Sequence, residues 1–258
     1  MNRSLWIAKS GMEGQQFKLD TISNNLANVA TNGYKRGGLV FEDLMSANLR
    51  QAGAASSDQT QLPTGLQVGL GTRVSAATRN FSQGNLQQTS NNLDLAIKGQ
   101  GFFTIQLPDG STGYTRDGSF QLDPAGQMVT ANGHVLLPGI TIPAGAQSVT
   151  IAADGTVNVT LPTQATPQSV GQLQLASFIN PGGLEPRGQN LYAETASSGT
   201  PSSGTAGSDG RGSLLQTFLV VSILLDIIGS SVAGYFLESP VIMAAQALAL
   251  VGWVINVV

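Results

Sequence analysis

The sequence has no cysteine and a single histidine in 258 residues. The first absence excludes disulfides, thiolate nucleophiles and zinc–thiolate clusters. The second excludes a histidine-based metal cluster. Charge is also scarce: 12 basic and 15 acidic residues make up 10% of the chain and leave a net charge of -3. Such a balance offers no broad electrostatic grip on DNA or RNA, and Lys35-Arg36 is too small a basic patch to supply one. No cofactor, metal or nucleic-acid partner is expected. Glycine is plentiful, with 32 residues. The length allows one large or two ordinary domains with real hydrophobic cores.

The two ends differ. After Met1 the segment has no apolar run: Lys9, Glu13, Lys18 and Asp20 interrupt it. It does not read as a cleaved signal peptide. Residues 212–258 contain no Lys or Arg, and only Asp226 and Glu238 as acids. The stretch Val241–Val258 has 18 residues, near the minimum for a membrane helix, yet no flanking basic residue sets an orientation. A membrane hairpin, a buried helical pair and an altered end all fit this composition.

The clearest periodicity lies in residues 4–30. Leu5, Met12, Leu19 and Leu26 are spaced by seven, and Ala8, Gln15, Ile22 and Val29 interleave with them. This heptad pattern predicts an amphipathic helix that packs against another helix, with Ser4 as a cap and Thr31-Asn32-Gly33 as the stop. The stripe fits either a helix covering its own domain core or an arm joining partner subunits. Residues 34–92 read as an extended arm and linker, with a small polar stretch at Gln51–Gln61.

Residues 93–195 read as an all-β module. Short alternating runs such as Phe102–Leu107 are separated by Asp109-Gly110, Asp123–Gly126 and Asn132-Gly133, which are turn signals. Residues 196–213, rich in Ser, Gly and Thr, read as a flexible linker. The fold class is therefore α+β: an N-terminal coiled-coil-type helix (1–33), an extended arm (34–92), a β domain (93–195), the linker, and a hydrophobic helical segment at 214–258.

Nothing in the chain assembles catalytic equipment. His134 follows the Asn132-Gly133 turn with no serine–acid arrangement nearby. Arg116 and Asp117 read as turn-orienting or mutually paired residues. The Asp-Gly steps do not form a calcium loop, and Gly99-Gln100-Gly101 lacks the rest of a dinucleotide fingerprint. The chain is not expected to be an enzyme.

Several motifs carry a resemblance. They are Ser4–Ala8, then Ile22-Ser23-Asn24-Asn25-Leu26-Ala27-Asn28-Val29-Ala30-Thr31-Asn32-Gly33-Tyr34-Lys35-Arg36, then Ala96–Phe103 and Tyr114–Phe120, extended by Gln172–Phe178 and Asn190-Leu191-Tyr192. Over about residues 1–215 the sequence resembles the bacterial flagellar basal-body rod and hook family. Phe41-Glu42-Asp43-Leu44 and the polar arm through Gly71 resemble its distal-rod branch. The resemblance implies a structural subunit that self-associates into a helical rod around a central channel. Its neighbours would be proximal-rod and hook subunits, with peptidoglycan and outer-membrane ring proteins outside. It implies a place in the flagellar basal body from periplasm to outer membrane, reached by type III export without a cleaved signal. It also implies torque transmission from motor to hook, with the arm at 46–75 stiffening the rod. The expected subunit-packing residues are Leu5, Met12, Leu19, Ile22, Asn24, Asn25, Leu26, Asn28, Val29 and Asn32. The asparagine amides would bond across subunits or cap the helix end.

The resemblance ends near Leu215–Leu219. Family members close with an amphipathic C-terminal helix that pairs with the N-terminal one, and Val220–Val258 has neither its charged face nor its motifs. The expectation is an altered end that impairs assembly. A hook-type or proximal-rod subunit is the near alternative, and a β-rich binding module held to a membrane by 214–258 is the more distant one.

Overall fold

The computed structural model describes residues 2–51, 55–57, 60–61, 64–162 and 166–221. The heptad segment forms helix α1 (Arg3–Ala27), which spans roughly 37 Å at 1.5 Å per residue. Its cap is Asn2 rather than Ser4, and it makes no side-chain capping bond. The helix stops six residues before Gly33. Asn28 takes the cap position, and its backbone N–H reaches the Asn24 carbonyl at 3.2 Å.

The arm is a two-stranded ribbon. It runs out through β1 (Gly37–Asp43), β2 (Ala47–Arg50) and β3 (Ala55–Ser57), and returns through β4 (Thr60–Gln61), β5 (Leu66–Val68) and β6 (Thr72–Arg79). The strands pair antiparallel as β1–β6, β2–β5 and β3–β4. Leu39, Val40 and Phe41 favour this extended form because branched and aromatic side chains suit a pleated surface.

The β domain begins at β7 (Asn85–Gln88) and β8 (Leu95–Lys98). It continues with β9 (Phe102–Gln106), β10 (Thr112–Thr115), β11 (Phe120–Leu122), β12 (Met128–Thr130) and β13 (Val135–Leu137). Next come β14 (Ser148–Ile151), β15 (Thr156–Thr160), β16 (Gln168–Gln172), β17 (Gln174–Ser177), β18 (Glu185–Gly188) and β19 (Leu191–Ala193). The last described strands are β20 (Ser202–Thr205), β21 (Ser213–Gln216) and β22 (Phe218–Val221).

Strand β9 is the centre of the main sheet, whose order is β11-β12-β13-β9-β10-β19-β18. Its second half pairs β13, while Phe102 and Phe103 pair β17, which in turn carries β20. The period-two geometry sends Phe103 and Ile105 to one face and Phe102 to the other. Phe103 and Ile105 join Leu95, Ile97, Phe120, Met128 and Leu175 in the main core, closed by Ile151, Val157 and Val159 of the β14-β15-β16 sheet. Phe102 enters a second cluster with Tyr114, Phe178, Leu184 and Tyr192. Buried on both faces at this point, the sheet has a firm surface on which another element can be seated.

Two expectations change here. Residues 196–213, expected as a flexible linker, contain β20 and bury Ser198, Ala206 and Arg211. Arg211 donates to the Ser202 hydroxyl at 2.9 Å and pairs with Asp209 at 2.9 Å, which orders the glycine-rich turn. Residues 214–221, expected as the start of a helix, are strands. They pair antiparallel with β8 and β7, so this end of the β domain closes on its own beginning. Backbone bonds from Thr89 N–H to the Thr217 carbonyl (2.7 Å) and from Thr217 N–H to the Asp94 carbonyl (2.9 Å) carry the ladder across the step between them. The rest of the hydrophobic end, 222–258, lies outside the described residues, as do the helical and membrane expectations for it.

Candidate functional site

Helix α1 carries its large apolar residues outward. Leu5, Met12, Leu19 and Leu26 are 68, 67, 63 and 56% exposed. Positions 7, 14 and 21 lie two residues further on, about 200° around the helix, and these face the protein's own chain. Gly14 is buried, and Ile7, Ser10, Gly11 and Thr21 are partly so. A Cβ at Gly14 would lie 3.2 Å from the Phe41 ring, and one at Gly71 would strike the Ser10 hydroxyl at 2.1 Å. Small residues thus let the helix lie close on the β1–β6 ribbon. The heptad stripe remains free of intramolecular cover among the described residues. Ile22 is half-buried at its flank, and Trp6 and Phe17 are exposed on the other side.

The asparagines do different work from the leucines. Asn25 is buried. Its Nδ2 donates to the Gly37 carbonyl at 2.9 Å, and its Oδ1 accepts from the Gly37 N–H at 2.9 Å. The Tyr34 hydroxyl lies 2.9 Å from the Asn25 Oδ1 and 3.0 Å from the Asn24 Oδ1, sharing its proton between them. Asn28 Nδ2 donates to the Asn24 carbonyl at 2.9 Å. Val29, just past the helix end, is half-buried, and its N–H bonds the Leu26 carbonyl at 3.2 Å. Asn32 presents its backbone carbonyl to the Asn190 amide at 2.9 Å. For Asn25 these three bonds lie within the chain and pin the helix end to the first arm strand and to Tyr34. Asn28 caps locally. The stripe residues Leu5, Met12, Leu19 and Leu26 are left exposed by the described chain.

Below the helix end is a joint built from the two halves of the sequence. Gly33 has φ +69° and rests against the backbone of Arg116 and Asp117. A Cβ there would come within 2.5 Å of the Asp117 nitrogen. Gly33 N–H donates to the Val220 carbonyl at 3.0 Å, which ties strand β22 to the same spot. Phe81 fills the joint, packing edge-on against Phe102 and Tyr192 with centroids 5.6 and 5.5 Å apart. The Arg79 guanidinium lies over the Tyr192 ring at 5.8 Å, and that of Arg116 over Phe102 at 5.7 Å.

Arg116 and Asp117 do not pair with each other. Buried Arg116 donates to the carbonyls of Gly99 and Phe81. Burial lowers its pKa to about 10. The Asp117 carboxylate accepts from the Ser119 N–H at 3.0 Å and hydroxyl at 2.7 Å, so it shapes the bend, and burial pushes its pKa up. His134 sits half-buried at the β12–β13 turn, where its backbone N–H meets the Thr130 hydroxyl. A cleft of about 150 Å³ beside β10 and β19 is lined by Leu107, Ser111, Thr112, Arg187, Tyr192 and Glu194.

The small-residue seam and the aromatic joint are absent from the expectations drawn from sequence. The seam had a readable signal: Ile7, Gly14 and Thr21 repeat with the leucine heptad at a fixed offset. The joint had none, since Phe81, Phe102 and Tyr192 are distant in the chain.

An outward apolar helix on a rigid β domain is the layout of a structural subunit that assembles with others. Two family models match this chain. Residues 5–35 match the flagella basal body rod protein, and residues 96–159 match the flagellar hook protein FlgE/F/G D1 domain. The matched segments are the ones that meet at Gly33 and Asp117. The flagellar basal-body rod protein FlgG of Buchnera aphidicola from Schizaphis graminum is 52% identical over 219 residues, covering 85% of this chain and 84% of that protein. The protein of the same description from Agrobacterium fabrum is 39% identical over 254 residues, covering 96% and 97%. The flagellar hook protein FlgE of Helicobacter pylori is 44% identical over 137 residues, but these are only 19% of its length. The chain belongs to the flagellar basal-body rod protein FlgG family.

Proposed function

We propose that this protein is a structural subunit of the flagellar distal rod, and that it transmits torque from the motor toward the hook. The observation that carries the reading is the outward heptad stripe, Leu5, Met12, Leu19 and Leu26, on a helix whose opposite face is already occupied. Burying each such side chain is worth about 1.5–3 kcal/mol. Heterologous contacts of this kind propagate into a helical shaft because they need not close into a ring. Family membership supports the rod setting. The near full-length match to rod proteins, against the partial match to a hook protein, favours a rod subunit over a hook subunit.

Neighbours in this reading are further copies, proximal-rod and hook subunits, and the rings around the shaft. The β ribbon at 37–79 stiffens contacts between copies. Residues 222–258 follow directly from β22 at the helix base, so an altered end there bears on how the stripe is covered.

Complementation tests the proposal. A strain lacking its distal rod subunit is supplied with this chain, with this chain carrying a family-like end after residue 221, and with that chimera carrying Leu19→Asp. Motility from the chimera and its loss with Leu19→Asp, at unchanged solubility of the subunit, is the expected result. Motility unaffected by Leu19→Asp would remove the stripe from assembly, and failure of every chain would remove the rod assignment.

A further inference from the structure

The joint below α1 has an electrostatic feature that a rod subunit does not require. Lys35 is 4% exposed and Arg116 is 5% exposed. The Lys35 Nζ donates to the Ser82 carbonyl at 2.6 Å. Arg116 donates to the Phe81 and Gly99 carbonyls. Among the described residues no carboxylate lies within ion-pairing reach of either cation. Two buried positive groups therefore share one short stretch of backbone, Phe81-Ser82, with neutral dipoles as their partners. A buried ammonium without a counter-ion is strongly disfavoured, and a neighbouring cation adds to the penalty. Arginine keeps its proton under these conditions, whereas lysine gives its proton up readily when buried.

The position of this pair gives it leverage. The chain enters the arm through Lys35 and Arg36 and leaves it through Arg79 and Asn80. Both crossings are tied together, by Asn80 N–H to the Arg36 carbonyl at 3.0 Å and by Arg79 to the Lys35 carbonyl at 3.4 Å. The Ser82 carbonyl that takes the ammonium is thus in the first turn of chain returning to the β domain. The other titratable groups around the joint are Tyr34 at the helix side, Arg79 at the ribbon base, Asp117 on the bend and Tyr192 on β19. Asp117 is held by Ser119 and raised in pKa by burial, while the Tyr34 and Tyr192 hydroxyls, also raised by burial, stay neutral across the neutral range.

We propose that the Lys35–Arg116 pair makes the joint between the helix-and-ribbon half and the β domain a proton-sensitive hinge, which grips when Lys35 is neutral and loosens when it takes up a proton. Neutral Lys35 still donates to Ser82, so deprotonation removes the repulsion and keeps the bond. Burial, and secondarily Arg116, lowers the Lys35 pKa to about 7, which places the change near neutral pH. When the joint opens, Lys35 returns to its ordinary value near 10.4. Between about pH 7 and pH 10 the closed joint binds fewer protons than the open one. Its closing constant therefore rises about tenfold per pH unit in that window and is flat below it.

The full chain tests this by amide hydrogen exchange. Protection factors of Gly33 N–H and Asn80 N–H, corrected for the intrinsic exchange rate, are followed from pH 6 to pH 9. The expected result is a plateau below pH 7 and a rise of about a hundredfold by pH 9. Lys35→Met, which keeps the packing and removes the charge, should be flat across the range. Lys35→Arg, with its fixed charge, should be flat at the low level. A flat wild-type profile, or the wild-type slope in Lys35→Met, overturns the proposal. Should neither variant fold, the side-chain titration of Lys35 in the wild-type chain decides it by carbon-13 NMR. A midpoint near 7 upholds the hinge, and one near 10 overturns it.

Discussion

Replacing Gly33 by alanine measures how tightly the two halves of the chain are seated on each other. Two costs arise. The first is conformational: φ is +69°, a region in which an L side chain loses about 1–2 kcal/mol. The second is steric: the new Cβ would lie 2.5 Å from the Asp117 nitrogen and 2.8 Å from the Arg116 carbonyl carbon, both backbone atoms in a bend fixed by Thr115 and Ser119. Overpacking of this kind costs about 1–3 kcal/mol. The total is about 2–5 kcal/mol. Gly133 supplies the control, because its φ is +82° and a Cβ there meets nothing within 4 Å. Gly133→Ala should lose only the conformational share, about 1 kcal/mol. In thermal unfolding of the full chain, at about 2–4 °C per kcal/mol for a domain of this size, the two variants should differ by several degrees. Equal losses in the two variants would refute the tight seating of Gly33 on the Asp117 bend.

Further outcomes follow from the same geometry. Asn25→Ala strips partners from the Gly37 N–H and carbonyl and from Tyr34, and should cost about 3 kcal/mol, whereas Asn28→Ala at the exposed helix end should cost about 0.5 kcal/mol; chemical denaturation of the two variants side by side checks the ratio. Asp117→Asn should stabilise the protein at neutral pH. The buried carboxyl has a raised pKa, so its folded form favours the proton, and wild-type stability falls as pH climbs from the ordinary carboxylate range through that raised value. Stability curves of wild type and Asp117→Asn should therefore converge in acid and part as pH rises.

The β domain was legible because its turns are written in residues that have few other uses. Gly110, Gly126, Gly133 and Gly155 all take positive φ, and Asp109, Asp123 and Asp154 accept from backbone N–H groups two to four residues on. The Phe102–Leu107 run accordingly appears as β9, Phe102–Gln106, whereas Ile140–Pro143 contributes only an isolated bridge at Thr141. Residues 196–221 were not legible, for a physical reason. Serine and glycine make a strand as well as a linker when a neighbour supplies the ladder, and β20 gains its order from β17 and from Arg211 lying across Gly204. Pairing partners of that kind are non-local, and composition carries no trace of them. The β21–β22 strands were misread likewise: an apolar run suits a helix or a strand, and only the distant partners β8 and β7 decide.

The helix separates what periodicity can say from what it cannot. A heptad in Leu5, Met12, Leu19 and Leu26 specifies a stripe but not what covers it. For a chain folding alone, the apolar stripe should turn inward and the small polar face outward. Here the order is reversed, and the reversal is stable because Gly14, Ser10 and Asn25 let the polar face dock closely, with glycine for approach and an amide for the hydrogen bonds. Docking by small residues gains little apolar burial, so the helix end needs the additional hold of Asn25, Gly33 and Asn190. That hold explains why the Asn-Asn and Asn-Gly-Tyr-Lys motifs lie at the base of the helix and not along its stripe. The motif residues fix the direction in which the helix leaves the β domain, and the leucines are then free to meet whatever stands beside them. An assembly built from such subunits can exchange stripe residues for others of similar size. It cannot exchange Gly33 or Asn25, whose neighbours belong to the same chain and do not move aside.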